Sequence, residues 1–300
     1  MNNNDLTPEF IGDSRMNALV EEALLEDLGM GDVTTDAVVD PDAQGKAEFL
    51  VKEEGVIAGL GVAGLVFQSV DPSLHFHPMS ADGEAVAKGK IVAMVHGPLQ
   101  GILKAERTAL NFLQRMSGIA TLTWKFVSAV EGTGAKITDT RKTAPGLRLF
   151  DKVAVRLGGG INHRFGLDDM AMIKDNHIAA AGGLTEAVRR YAVWADTRPH
   201  QVRLEVETKN LDEVREALEL SGIHRIMLDN FRVGDMREAV ALINKRVEVE
   251  ASGNVNLLTV RAIAETGVDF ISVGALTHSP KALDISLEVS PLSPTSGHAS

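Results

Sequence analysis

Three short segments in the middle of the chain place cationic side chains close together. Arg141 and Lys142 lie in TDTRKT, His163 and Arg164 lie in GGGINHR, and Lys174 lies in MAMIKDNH. Arginine binds carboxylates and phosphates through two parallel hydrogen bonds, and lysine adds a mobile point charge. The residue types therefore indicate a site that binds a small anion.

The charge balance of this region supports the same prediction. Residues 136–174 contain eight Lys and Arg against four Asp and Glu, whereas the whole chain has a formal net charge of −11. An acidic chain is a poor partner for nucleic acid or an anionic membrane, so we expect neither. The alternative, that these cations belong to a solvated loop rich in salt bridges, stays open from the residues alone.

Polar residues recur at similar spacings in the second half. Glu205, Asp229, Glu250 and Ser272 are 24, 21 and 22 residues apart, each in a segment with the pattern of a short strand. We expect them at or near the carboxyl ends of these strands. Glu205 and Asp229 could bind Mg²⁺, ribose hydroxyls or an ammonium group. Glu207 is a substitute on the same strand face, and a purely structural role for these carboxylates stays open.

Small residues end two of the later strands, in EASGN and SVGAL. They allow backbone N–H groups to approach a phosphate, and barrels often bind one at this place with the help of a helix N-terminus. We expect that helix to be NLLTVRAIAE. The candidate phosphate residues are Ser252, Gly253, Asn254, Val273, Gly274 and Ala275.

Several kinds of chemistry are excluded or disfavoured. The chain has no cysteine, so disulfides, thiolate nucleophiles and cysteine zinc sites are impossible. Neither a zinc-type H-E-x-x-H spacing nor a G-x-S-x-G motif occurs. Covalent catalysis through a protein nucleophile is therefore not favoured.

The elements that must position these residues alternate regularly. Strand-like and helix-like segments follow each other with a period of a little over twenty residues from VRLEVET to VDFISVGAL. AKITDTRKT and MAMIKDNH add two earlier strands. Such alternation predicts βα units around a parallel sheet, an α/β barrel whose strand ends form one functional face.

The first part of the chain has a different pattern. Short β-like runs alternate with glycine from residue 45 to 103, after a predicted amphipathic helix over 16–28. This pattern predicts a separate α+β domain. The predicted divisions are a flexible leader (1–15), an N-terminal domain (16–117, joined by 280–290), a barrel domain (118–279) and a flexible tail (291–300).

These segments together resemble a known family, the quinolinate phosphoribosyltransferases. The resemblance extends from about residue 26 to 279 and rests on EDLGMGDVTT, AERTALNFLQRMSGIAT, TDTRKTAPGLR, GGGINHRFGLDDMAMIKDNH, LEVET, IMLDNF, EASGN and ISVGALTHS. Asp151 stands where a Glu is common, and EVETKN adds two residues to the more usual EVEN. We expect neither departure to remove activity.

The resemblance implies a fold, a reaction and a cofactor. The fold is an N-terminal α/β sandwich domain with an incomplete α/β (TIM-like) barrel, and active sites lie at a homodimer interface. The reaction converts quinolinate and phosphoribosyl pyrophosphate, with Mg²⁺, into nicotinate mononucleotide, pyrophosphate and CO₂ in NAD biosynthesis. We expect a cytoplasmic enzyme.

The resemblance also implies roles for residues. The quinolinate site would contain Arg107 from the partner subunit together with Thr140, Arg141, His163, Arg164 and Lys174. Lys142, Glu205 and Asp229 match the phosphoribosyl and metal side. The catalytic set is Lys142, Lys174, Glu205 and Asp229, with Glu205 and Asp229 as metal ligands directly or through water.

Two alternatives remain open at this point. One is a nicotinate phosphoribosyltransferase or a relative that acts on another ring acid. Three arginines favour a diacid, because one carboxylate needs only one bidentate arginine. The other alternative is a non-catalytic barrel that binds anions as a sensor or as an assembly subunit.

Overall fold

A computed structural model of the protein describes residues 14–292. Residues 1–13 of the predicted leader and residues 293–300 of the predicted tail lie outside the described residues. Two compact units are present. The first contains the chain up to Leu122, Pro145–Gly159 and the segment from Pro280, and the second contains Thr123–Ala144 and Gly160–Ser279. The domain boundaries at 117 and 118 stay a prediction.

The helices and strands are as follows. In chain order, the helices are α1 (Ser14–Leu28), α2 (Val33–Val38), α3 (Leu60–Val70), α4 (Leu99–Ala129), α5 (Arg148–Leu157), α6 (Asp175–Ala181), α7 (Leu184–Ala195), α8 (Leu211–Leu218), α9 (Val233–Ile243), α10 (Val260–Ala264) and α11 (Ala275–His278). The strands are β1 (Gln44–Val51), β2 (Gly55–Val56), β3 (His75–Pro78), β4 (Ala85–Val86), β5 (Ile91–Pro98), β6 (Lys136–Thr138), β7 (Ala171–Ile173), β8 (Leu204–Thr208), β9 (Arg225–Asp229), β10 (Glu248–Ser252), β11 (Phe270–Ser272) and β12 (Ile285–Pro291). No helix of the described part is long and apolar enough to cross a bilayer.

The first unit is built on an antiparallel sheet with the order β12-β1-β5-β3. Alternate residues of β1 are buried, so one face of the sheet packs on the core and the other faces outward. Phe49 of β1 packs edge-to-face on Phe67 of α3, with 5.9 Å between ring centroids, and Phe76 of β3 packs against both. Aromatic burial of this kind stabilises the unit.

The second unit is built on a parallel sheet with the order β6-β11-β10-β9-β8-β7. Helices α7 to α10 lie between successive strands in sequence, as the alternation predicts. The strand pairing closes β11 back onto β6, the first strand of the unit, and Ile161 adds a parallel bridge to Thr138. Among the described strands β6 and β7 do not pair with each other, so the barrel is incomplete. The predicted fold class is confirmed.

Among the helices that were not predicted, α5 bears most on the anion site. α5 begins at Arg148, inside the segment LRLFDK, and contains Arg148, Lys152 and Arg156. These three residues therefore belong to the first unit, although they contribute to the charge excess of residues 136–174 that predicted the anion site. Asp151 of α5 is fully buried and accepts two hydrogen bonds of 2.8 Å from Arg115 of α4. The charge excess over 136–174 is therefore divided between the two units.

Candidate active site

The cationic segments follow strands of the six-stranded sheet. Arg141 and Lys142 come shortly after β6, and Lys174 comes directly after β7. His163 and Arg164 come shortly after Ile161, which pairs with β6. Parallel strands end at one edge of their sheet, so these side chains all start from the carboxyl edge of the second unit.

A buried aspartate fixes the loop that contains His163. Asp139 is fully buried, and its Oδ1 accepts a hydrogen bond of 2.8 Å from the backbone N–H of His163. Its Oδ2 accepts one of 2.6 Å from Asn162 Nδ2. A carboxylate that binds two donors of one loop holds that loop against the strand end.

The imidazole of His163 lies between two buried carboxylates. His163 Nε2 is 3.0 Å from Glu205 Oε2 and 3.4 Å from Glu250 Oε2. Both glutamates are fully buried, and His163 is 7% exposed. Buried charges are tolerated when they are paired, so a charged imidazole stabilises this group, which we call the interior cluster.

The pKa values agree with a charged imidazole. Burial by itself lowers the pKa of His163, but the Glu250 and Glu205 carboxylates outweigh it and raise the pKa to about 9. Burial and the neighbouring Glu250 raise the pKa of Glu205. Burial also opposes ionisation of Glu250, yet His163 and Arg225 hold its pKa below the ordinary value. At neutral pH the cluster contains an imidazolium.

Arg225 completes the interior cluster from the start of β9. Its Nη1 donates to Glu250 Oε2 at 2.8 Å, and its Nη2 donates to Glu248 Oε2 at 3.0 Å. The guanidinium also lies over the ring of Phe270, 3.9 Å from the centroid. Glu250 is thus shared by a fixed cation and by the imidazole, which restricts where the imidazole can lie.

Two guanidinium groups lie near each other beside this cluster. Burial, together with the charge of Arg141, lowers the pKa of Arg164. Arg164 is held by a hydrogen bond of 2.9 Å from Nη1 to Met170 O. The Nε of Arg141 is buried and has no hydrogen-bond partner within residues 14–292. Like charges held together with an unused donor are suited to an anion that accepts from both.

The two lysines have different surroundings. Lys174 Nζ donates to Glu207 Oε2 at 2.8 Å. The aliphatic part of Lys142 lies beside Gly274, where a Cβ would come within 3.0 Å of Lys142 Cδ. Thr277 also donates to the carbonyl of Lys142, over 2.9 Å. The sheet order thereby brings the TRK segment together with the VGA segment.

The SGN segment and Asp229 form a second group at the same edge. Asn230 Nδ2 donates to Asp229 Oδ2 at 2.9 Å, and Asn254 Nδ2 donates to Asn230 Oδ1 at 3.0 Å. Gly253 has a φ of +93°, and a Cβ on it would lie 2.2 Å from Asn230 Oδ1. Only glycine fits there, so the loop backbone approaches this carboxamide closely.

Three details differ from the sequence predictions. Glu205 is the second residue of β8 and Glu250 is the middle residue of β10, so both lie inside the sheet and not at the strand ends. The helix after SGN begins only at Val260 and has five residues, so no long helix N-terminus faces the SGN backbone. Asp229 and Ser272 do end their strands, as predicted.

Arg107 belongs to the other unit. It is an exposed residue of α4 and lies in the first unit. The remaining predicted residues all belong to the second unit: Thr140, Arg141, Lys142, His163, Arg164, Lys174, Glu205, Asp229, Ser252, Gly253, Asn254, Val273, Gly274 and Ala275.

Sequence reasoning left Glu250, Arg225 and Asp139 out of the site. Glu248 and Glu250 share the period of two with Glu205 and Glu207, which places all four on inward strand faces. These alternating glutamates are visible in the sequence and could have indicated the interior cluster, because apolar residues, and not repeated glutamates, are expected inside a barrel. The pairing of Glu250 with Arg225 depends on strand register, which the sequence does not contain.

Three side chains of the site bring potential metal-ligating atoms close together. Within the described part of the chain, His163, Glu205 and Glu250 form the one group of three whose ligand atoms all lie within 4.8 Å of one another, and Asp229 is not a member of it. Glu205 Oε1 lacks a hydrogen-bond partner there, whereas its Oε2 pairs with His163 Nε2. Oxygen donors at Asp229 and Glu205 are the chemical type that Mg²⁺ prefers, although the two carboxylates are not members of one cluster of three ligands.

Comparisons with known proteins agree over most of the chain. Residues 32–117 match the family model described as quinolinate phosphoribosyl transferase, N-terminal domain, and residues 119–288 match the corresponding C-terminal domain.

Individual relatives are similar over most of the chain. Quinolinate phosphoribosyltransferase (decarboxylating) 2, mitochondrial, of Nicotiana glauca is 50% identical over 289 residues, covering 91% of this chain and 82% of the relative. A probable nicotinate-nucleotide pyrophosphorylase (carboxylating) of a Synechocystis strain is 46% identical, covering 90% and 91%. The crystal structure of NadC from Streptococcus pyogenes is 40% identical with a TM-score of 0.89, covering 96% and 99%.

Proposed function

The chain belongs to the quinolinate phosphoribosyltransferase family, and we propose that it transfers the phosphoribosyl group of phosphoribosyl pyrophosphate to quinolinate. The reaction releases pyrophosphate and CO₂ and yields nicotinate mononucleotide for NAD biosynthesis. The observation that carries this proposal is the juxtaposition of Arg141 and Arg164 next to a buried imidazolium.

Quinolinate is a dianion with two adjacent ring carboxylates. Arg141 and Arg164 would each bind carboxylate oxygens, and His163 and Lys174 would add two further cations. A monoacid would leave Arg141 or Arg164 without a carboxylate, and a buried donor without a partner, such as Arg141 Nε, is costly. The number of cations therefore favours the diacid over nicotinate.

The transfer step needs positioning and electrostatics. The ring nitrogen of quinolinate attacks C1 of the ribose with its lone pair, and the bond from C1 to the pyrophosphate oxygen breaks with its electron pair. Positive charge that develops at the ribose would be stabilised by carboxylates such as Asp229, while Lys142 would stabilise the departing pyrophosphate. The protein supplies no nucleophile of its own.

The decarboxylation follows from the first step. Once ribosylated, the ring nitrogen is cationic, and it stabilises the electron pair that remains on C2 when the C2 carboxylate leaves as CO₂. A proton then adds to C2. Arg141 and Arg164 hold the diacid during this step and release it when one carboxylate is gone.

Mg²⁺ is proposed as the cofactor that binds with phosphoribosyl pyrophosphate. Asp229 and Glu205 would hold it, directly or through water, and the ion would neutralise charge on the pyrophosphate. Asp229 is only half-buried and is the better direct ligand, because Mg²⁺ usually keeps several waters.

A homodimer with shared sites is proposed as the assembly. Arg107 is exposed on α4, which would allow it to enter the site of a partner subunit and bind quinolinate there. Co-expression tests this idea: Arg107→Ala and Lys174→Ala chains should each be inactive, and mixed dimers should regain activity through one intact site. Activity that stays absent in purified mixed dimers would contradict a shared site.

A cytoplasmic location is also proposed. The cysteine-free composition fits a reducing compartment, although the Nicotiana glauca relative is named a mitochondrial protein. Fractionation of the source cells tests it, and recovery of the chain in an organelle would contradict it.

The reaction is tested by incubating the protein with phosphoribosyl pyrophosphate, Mg²⁺ and quinolinate labelled in the C2 carboxylate. We expect nicotinate mononucleotide and labelled CO₂ in equal amounts. Preferential use of nicotinate would favour the monoacid enzyme. Tight quinolinate binding without product at high protein concentration would favour an anion sensor.

A further inference from the structure

Three histidines lie together on the outward face of the four-stranded sheet, in the first unit. His75 and His77 are on β3, which is an edge strand, and His96 is on the neighbouring β5. The register pairs His75 directly with His96, and His77 with Met94. All three imidazoles are exposed, and none belongs to the proposed active site.

The rings are close to one another. Ring centroids are 4.9 Å apart for His75 and His96, 5.1 Å for His77 and His96, and 6.5 Å for His75 and His77. Imidazoles that bind one tetrahedral zinc ion through bonds of about 2.0–2.1 Å have ring centres roughly 5 Å apart. The two distances that involve His96 already have this value.

The imidazoles are also chemically available. Within residues 14–292 none of the three makes a hydrogen bond or an ion pair; their contacts are with each other. A neutral imidazole is the form that binds metals, and no other side chain of the described residues competes for these rings.

We propose that His75, His77 and His96 bind one divalent transition-metal ion of the Zn²⁺ class on this face of the sheet. Imidazole nitrogen suits Zn²⁺, Cu²⁺ and Ni²⁺, whereas Mg²⁺ prefers oxygen. The site thus differs in metal and in place from the proposed Mg²⁺ site, and its existence does not depend on the proposed reaction.

Binding requires the imidazoles to rotate, because their ligand nitrogens do not all lie within 4.8 Å of one another. The rings are stacked, with 12° between the planes of His77 and His96, so they must rotate for their nitrogens to meet at one ion. Exposed side chains rotate freely on the nanosecond timescale. Lys46 lies opposite His96 on β1, with Glu48 two residues further. A bound ion would join edge strand β3 to β5.

The test is titration of the full chain, without an added histidine tag, with ZnCl₂ in equilibrium dialysis and calorimetry. We expect one ion per chain and a higher unfolding temperature with zinc. His96→Ala should weaken binding at least about tenfold, because even a partner that only supports a ligand contributes that much. The matched control is His200→Ala, which removes an exposed histidine elsewhere.

Several results would overturn the proposal. Unchanged zinc affinity in His96→Ala, or in the double variant His75→Ala/His77→Ala, would do so. So would a bound ion that is lost in Glu250→Gln, because that result would place the zinc at the interior cluster. Circular dichroism of each variant establishes that it is folded. Quinolinate turnover with Mg²⁺ should be unchanged in His96→Ala, so this experiment and the test of the reaction can fail separately.

Discussion

The two sheets bury opposite kinds of residue. The inner face of the four-stranded sheet packs Phe49 against the rings of Phe67 and Phe76. The inward positions of the six-stranded sheet contain Glu205, Glu250 and Arg225, together with the imidazole of His163. Apolar burial stabilises a fold at little cost, whereas buried charge is expensive even when it is paired.

The difference between the two sheet interiors indicates which of them the site chemistry requires. A core of aromatic rings needs no explanation beyond stability. A charged interior is less stable than an apolar one. Its presence here is explained by the groups that it positions, an imidazolium and two arginines at the strand ends. Variants in the two interiors should therefore change different quantities.

The largest expected effect is on stability in the first unit. Phe49→Ala should lower the free energy of unfolding by about 3–5 kcal/mol, because it leaves a cavity among packed rings. Denaturant unfolding followed by fluorescence or circular dichroism measures it. Turnover per folded molecule should be unchanged. Leu50→Ala, half-buried on the other face of the same strand, is the control and should cost less; equal losses would contradict the packing argument.

Arg141→Ala should lower activity and leave stability nearly unchanged. We expect kcat/KM for quinolinate to fall about a hundredfold or more, which corresponds to a charged contact worth about 3 kcal/mol. The unfolding midpoint should change little, because the buried Nε of Arg141 has no partner in the described chain. Arg215→Ala, on the surface of α8, is the control. Unchanged kinetics would remove Arg141 from the site.

Gly253→Ala should affect the phosphoribosyl side. The positive φ and the approach of Asn230 together predict a loss of about 1–3 kcal/mol in stability and a higher KM for phosphoribosyl pyrophosphate. Gly234→Ala is the control, because a Cβ there meets nothing within 4 Å. A Gly253→Ala enzyme with the parental KM would show that the loop does not contact this substrate.

Glu250→Gln should change the charge of His163. In the parent the imidazole has a pKa of about 9, so its raised pKa contributes stability that is present below about 6.5 and is lost as pH rises through 9. Removing one carboxylate should lower this pKa by about one unit or more, measured by NMR titration of the ring. Quinolinate binding should then weaken first at alkaline pH.

Glu248→Gln is the matched control for this titration. Glu248 also pairs with Arg225, whereas the carboxylates that pair with the imidazole are those of Glu205 and Glu250, so the pKa of His163 should stay near its parental value. An equal fall of the pKa in both variants would mean that Arg225, and not Glu250, sets the charge of the cluster.

The sequence predicted the arrangement of the second unit better than its interior. Alternating strand and helix patterns, with cations after strand-like segments, were sufficient to place Arg141, Arg164 and Lys174 at one sheet edge. The depth of Glu205 was not predictable, because strand patterns define a face but not how far a residue lies from the end. The contact of Glu250 with Arg225 was missed for the related reason that register is set by tertiary pairing.

The first unit was harder to predict for another reason. α5 is far in sequence from the strands of its unit, and its charged residues resembled part of the anion site. Only the fold shows that Asp151 is buried against Arg115 in the first unit. Local composition predicts the sign of a charge excess but not its division between two units.

The most direct test of the central claim is the ratio of kcat/KM for quinolinate to kcat/KM for nicotinate. If the strand-end cations bind two carboxylates, the parent should prefer quinolinate by a factor of about 1,000 or more, because a monoacid leaves buried donors unpaired. Arg164→Ala, and Arg164→Lys as a milder change, should reduce the ratio sharply. A parental ratio near one, or a ratio that Arg164→Ala leaves unchanged, would contradict the claim.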